Sequence, residues 1–99
     1  MLPALAFGQG QVTGTVTDSR TRAPLPFVNV LLEGTTVGAT TGEDGRFVIT
    51  DVKPGLYNVI VSSVGYQRRV VPEVMVGTAK PVDLDIQLEP SATELKEVE

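Results

Sequence analysis

The sequence predicts an all-β fold, a β-sandwich of about seven short strands in two sheets packed face to face. Three observations lead there. Apolar and polar residues alternate at period two through most of the chain, clusters of Gly, Pro and Asp separate these runs, and no segment has helical periodicity. Strands that each carry one apolar face bury those faces by stacking two sheets. A small closed barrel is the other arrangement that the pattern allows.

Gln11–Asp18 sets Val12, Gly14 and Val16 on one face and Thr13, Thr15 and Thr17 on the other, where β-branched polar side chains suit a wet sheet surface. Ser19–Pro26 is a turn region, with Pro24 and Pro26 pushing their predecessors toward extended backbone. Phe27–Glu33 directs Val28, Val30 and Leu32 inward, Gly34 ends it, and Val37–Thr41 is a short hairpin partner. Glu43-Asp44-Gly45 is a tight turn in which Gly45 takes a positive φ and Asp44 caps the backbone ahead. Arg46–Asp51 follows with Phe47 and Ile49 inward, and Pro54-Gly55 fits a type II turn. Leu56–Val64 is the longest expected strand and, being apolar on part of both faces, a central one. Gly65 breaks it. In the returning Tyr66–Val74, Pro72 calls for an edge strand or a bulge. After a turn at Gly77–Pro81, Val82–Leu88 alternates cleanly, with Val82, Leu84, Ile86 and Leu88 in and Asp83, Asp85 and Gln87 out.

The chain divides into a leader at 1–10, a domain at 11–88 and a linker at 89–99. Residues 1–10 are uncharged and apolar, then small and polar, like the end of a secretory signal peptide or a disordered leader; Ala4-Leu5-Ala6 and Ala6-Phe7-Gly8 fit the small-x-small cleavage element. No apolar run approaches the ~20 residues of a membrane helix. Residues 89–99 are polar and read as a linker toward a following domain.

Composition narrows the chemistry. With no cysteine, the fold holds without disulfides and lacks a thiolate nucleophile; with no histidine, it lacks the usual neutral-pH base and the commonest zinc ligand. The net charge is −4, and the basic residues are scattered, with Arg68-Arg69 the sole contiguous pair. Neighbours on a strand point to opposite faces, so that pair makes no patch, and nucleic acid is not an expected partner. Three Phe, two Tyr and no Trp leave little for stacking sites.

Candidate sites fail on chemical grounds. Ser19, Ser62 and Ser63 have no histidine to activate them. Asp83 and Asp85 share a strand face with Cβ atoms about 6–7 Å apart, but on the solvent side, where they serve solubility. Thr41–Arg46 holds acidic oxygens and two glycines without the twelve-residue ligand spacing of a calcium loop. Tyr66 is expected to cover an open end of the sandwich with its hydroxyl wet. The sequence therefore predicts no catalytic, cofactor-binding or metal-binding residues, and no enzyme activity.

A longer pattern runs through the same residues: Gly14-Thr-Val-Thr-Asp18, Pro24-Leu-Pro-Phe-Val-Asn-Val30, Gly34-Thr-Thr, Thr40-Thr-Gly-Glu-Asp-Gly-Arg-Phe47, Pro54-Gly-Leu-Tyr57 and Val64-Gly-Tyr66. In order and spacing it resembles the carboxypeptidase-regulatory-like domain over about residues 11–88, which implies a transthyretin-like (prealbumin-like) Greek-key sandwich. Within that family the chain is similar to the N-terminal extension of SusC/RagA-type TonB-dependent outer-membrane receptors of Bacteroidetes-like bacteria. The resemblance implies an exported, non-catalytic module on the periplasmic side of the outer membrane, in a receptor importing a nutrient such as a glycan or peptide. Its implied partners are the plug and barrel of its own chain and, through an edge strand, a periplasmic energy-coupling protein; the isolated domain is expected to be monomeric. The other readings are an adhesive module of a secreted multidomain protein and a regulatory appendage of a peptidase. One departure is Pro24-Leu-Pro-Phe27, where the family prefers Pro-Leu-x-Gly-Ala; Phe27 is expected to pack against the loop. Hydrolases and intradiol dioxygenases of similar shape depend on histidines that this chain lacks.

Overall fold

A computed structural model describes residues 10–91; the signal-like leader up to residue 9 and most of the expected linker, 92–99, lie outside the described residues. Seven strands follow in order: β1 Gly10–Asp18, β2 Asn29–Leu32, β3 Gly38–Thr40, β4 Arg46–Val52, β5 Gly55–Ser62, β6 Arg69–Val76 and β7 Val82–Leu88. They form two sheets, β4-β1-β7 and β3-β2-β5-β6, so the sandwich stands and the closed barrel does not. All pairings are antiparallel except β1 with β7, which run parallel in unbroken register from Val12 opposite Val82 to Asp18 opposite Leu88.

The inner faces are those that the alternation marks. Val12, Val16, Phe47, Ile49, Ile86 and Leu88 from one sheet meet Val28, Val30, Leu32, Val59, Val61, Val74 and Val76 around the other, all buried. Gly14 also faces in, because the Phe47 ring lies over it: a Cβ there would stand 2.7 Å from Phe47 Cζ and 2.6 Å from the Leu84 carbonyl oxygen.

Two bulges keep this core apolar where strict alternation would break it. In β4, Ile49 faces Val12 while Val52 faces Gly10, so β4 carries one residue more than β1 over that span. Asp51 absorbs it at φ 61°, which returns Val52 to the interior. In β6 the extra residue falls between Val71 and Val74, with Glu73 at φ 57°, and Val74 and Val76 stay inside. The Pro72 expectation is met twice, since β6 is an edge strand and bulged at that point.

The structure corrects several details. Gly55 has no positive φ and opens β5, so Pro54-Gly55 is not a type II turn; the left-handed residue nearest to it is Asp51, inside β4. The longest strand is β1, of nine residues, whereas β5 has eight and is central as expected. The returning strand is shifted to Arg69–Val76 because Ser63–Arg68 forms the corner. Phe27 does not pack on its loop: it is 72% exposed and held at φ 60°. That left-handed backbone accounts for a glycine preference at this place, since bulky residues are strained there.

Candidate interaction surface

The residues tested for chemistry fall apart in space or turn to structural work. Among the described residues, no three Asp or Glu side chains gather as metal ligands would. Asp83 and Asp85 lie exposed on the outer side of β7, where Asp83 Oδ1 accepts a hydrogen bond from the Thr13 hydroxyl at 3.1 Å. In the Thr41–Arg46 loop the acidic oxygens serve the backbone: Asp44 Oδ1 accepts from the Arg46 N–H at 3.1 Å, and Gly45, at φ 77°, closes the turn by donating to the Gly42 carbonyl. Ser62 and Ser63 sit half-buried at the end of β5, and Ser19 follows β1. Arg69 reaches across the sandwich to the Gln87 carbonyl at 3.2 Å.

Thr41 has a role that sequence reasoning missed. Its buried hydroxyl donates to the Leu25 carbonyl at 2.6 Å and accepts from the Val28 N–H at 2.9 Å, while its own N–H donates to the Val28 carbonyl. It stitches the proline-punctuated loop to the hairpin. Nothing in the sequence separates it from its neighbour Thr40, because the signal lies in contacts 13 to 16 residues away.

The C-terminal pole holds a second unforeseen group. Asp18 ends β1, and its Oδ1 accepts the Arg20 and Thr21 N–H groups at 2.7 and 3.0 Å, capping the first turn. Its Oδ2 accepts the Tyr66 hydroxyl at 2.7 Å. The Tyr66 hydroxyl, expected to be wet, is tied to Asp18. The Tyr66 bond, followed by the Thr21 and Arg20 amides, holds the Asp18 carboxyl below its ordinary pKa, and the same bond raises the Tyr66 phenol. Beside it, Pro90 bridges Tyr66, the Gln67 N–H donates to the Glu89 carbonyl at 2.8 Å and the Ser91 N–H to the Gly65 carbonyl at 2.9 Å. The outgoing chain is thus clipped to the β5–β6 corner, and the corner to the end of β1.

Apolar side chains also face solvent, mostly on one side. On the outer face of β3-β2-β5-β6 the register sets Leu31 beside Ile60 and Ile60 beside Val70, forming an apolar row across three strands. Leu56 and Met75 make a second pair, and Met75 is 65% exposed. Asn58 separates the rows, donating to Glu33 Oε1 at 2.9 Å and accepting the Glu73 N–H at 3.2 Å. Phe27 and Val64 lie exposed beyond the paired ends of β2 and β5, at Asn29 and Ser62. The two rows and these flanking residues put most of the exposed apolar side chains on or beside one sheet.

Comparison with known proteins agrees with this architecture. TonB-dependent receptor P39 of Formosa agariphila is 37% identical over 81 residues, a stretch that is 82% of this chain and 7% of the receptor. The chain therefore spans a small fraction of that relative's length. Among solved structures, an interface mutant of the type II cohesin–X-dockerin complex from Acetivibrio cellulolyticus superposes with a TM-score of 0.70 at 29% identity, covering 82% of this chain and 58% of the other. The Bacillus anthracis TIE protein shares the fold, with a TM-score of 0.66 at 20% identity over 84% of this chain and 17% of that one. The family model for the CarboxypepD_reg-like domain matches residues 12–99, and the chain belongs to that family of non-catalytic β-sandwich domains.

Proposed function

We propose that this domain is the N-terminal periplasmic module of a TonB-dependent outer-membrane receptor, and that it acts by contact with the plug and barrel of its own receptor chain. The observation that carries the reading is the 37% identity to a receptor of that class over most of the chain. Two features support a contact role. The apolar rows of the four-stranded sheet leave a face whose burial is favourable, by about 25 cal/mol for each Å² covered. Phe27 keeps a bulky ring at a left-handed position where glycine is unstrained, and such strain is characteristic of functional sites. Likeness to a component of a cohesin–X-dockerin complex also favours an interaction module.

The test uses the parent protein. Residues 11–88 are deleted, outer-membrane abundance is matched to the intact receptor, and nutrient uptake and receptor half-life are measured. The reading expects the parent in the outer-membrane fraction and a loss of uptake or of half-life on deletion. A parent found outside that membrane, or a deletion without effect on either quantity, contradicts it.

A further inference from the structure

We propose that the parallel β1–β7 pair is a mechanical clamp, which makes this domain resist force applied through its two ends. The inference rests on topology.

The first and last strands are hydrogen-bonded neighbours and run the same way. The chain comes in at Gly10, beside Val52 and Gly77, and leaves at Ser91, beside Gly65, at the opposite pole. Tension through the two ends therefore pulls β1 and β7 in opposite directions along their own axes. In this geometry the seven registered pairs from Val12–Val82 to Asp18–Leu88 carry the load together. They must fail in one event, and the buried side chains of Val12, Val16, Ile86 and Leu88 must slide with them. An antiparallel hairpin pulled at its open end instead breaks its bonds one after another.

Three further features favour shear over peeling. β1 is the central strand of its sheet, held by β4 on its other side, so it does not swing out with β7. The clip at Glu89–Ser91 lies between the pulling point and the last β7 pair, so β7 cannot be lifted from its end while the clip holds. The Tyr66–Asp18 bond ties that clip to the end of β1, the strand against which the load is drawn. The bulges, the left-handed Glu73 and Pro72 fall on edge strands outside the clamp, while the β1–β7 register has no interruption.

Single-molecule force spectroscopy tests the proposal on the whole 99-residue chain. The chain has no cysteine, so introduced pairs define the pulling axis uniquely. One sample is pulled through its termini. A second, Lys53→Cys with Thr78→Cys, is pulled from two exposed loops at the open end of the β5–β6 hairpin, where the load peels strands apart. Unfolding under force follows the barrier crossed along the pulled direction. The expected result is a several-fold higher unfolding force through the termini than through the loops, at equal thermal midpoints. Equal forces on the two axes, or a lower force through the termini, overturn the proposal. Tyr66→Phe separates the clip from general stability: a drop confined to the terminal axis supports it, and an equal proportional drop on both axes removes the clip from the clamp.

Discussion

The two sheets share one core and differ on their outer faces. The outer face of β4-β1-β7 is mostly hydrophilic, with Thr13, Thr15 and Thr17 between Asp83, Asp85 and Gln87 on one side and Arg46 and Val48 on the other. That of β3-β2-β5-β6 carries Leu31, Ile60, Val70, Leu56 and Met75. Antiparallel sheets with one solvated face ordinarily alternate apolar with polar residues. The first sheet, although β7 joins it in parallel, follows that rule and pairs its strands without a break at β7, as suits a scaffold. The second departs from the rule on its solvent side, as suits a surface that something covers. On the proposed contact role, the difference divides the domain into a scaffold sheet and a contact sheet.

The connection between the sheets should be the most sensitive point. Gly45 lies in the turn joining β3 to β4, at φ 77°, where an added Cβ would meet the Val16 carbonyl oxygen at 2.7 Å and Pro24 Cβ at 2.9 Å. Gly45→Val is expected to cost more than about 3 kcal/mol from strain and clash together; an unchanged denaturant midpoint would contradict that geometry. Next comes the shared core. Ile86→Ala on β7 should cost about 2–4 kcal/mol as a cavity, and Val59→Ala on the other sheet should also destabilise. A loss below about 0.5 kcal/mol at Ile86, the level of a surface change, would break the view of one core. Thr41→Val keeps the shape but strands the Leu25 carbonyl and the Val28 N–H, at a cost of about 1–3 kcal/mol in urea unfolding.

The smallest effect should come from Tyr66→Phe, and its pH dependence is diagnostic. The folded Asp18 carboxyl lies below its ordinary pKa, so its stabilisation is complete above the ordinary carboxylate range and fades as pH falls through the lowered value. The Tyr66 phenol is raised, so its share is complete below the ordinary tyrosine range and fades as pH climbs through the raised value. The gap in thermal midpoint between wild type and variant should be widest near neutral pH and narrow at both extremes. A gap independent of pH would mean that the hydroxyl stabilises by packing alone.

Much of the fold is legible because the inward set is written at period two: the buried Val12, Val16, Val28, Val30, Leu32, Phe47, Ile49, Val59, Val61, Ile86 and Leu88 are all visible in the alternation. Val52 and Val76 are not, because bulges at Asp51 and Glu73 shift the phase and no local signal announces a left-handed Asp or Glu. The parallel β1–β7 pairing and the Asp18–Tyr66 bond, 48 residues apart, are also illegible, since they arise only when distant segments meet. The exposed row Leu31–Ile60–Val70 was half visible: the two apolar faces of β5 show in the sequence, but their alignment with β2 and β6 depends on register.

Hydroxyl-radical footprinting of the isolated domain and of the same domain inside its full-length parent protein tests the contrast between the faces most directly. Met75, Leu56 and Leu31 report on the four-stranded sheet, and Val48, 52% exposed, reports on the other. The account predicts that labelling of Met75, Leu56 and Leu31 falls in the parent protein while Val48 stays as reactive as in the isolated domain. Protection of Val48 with Met75 unchanged would contradict it and would make the hydrophilic sheet the face that binds.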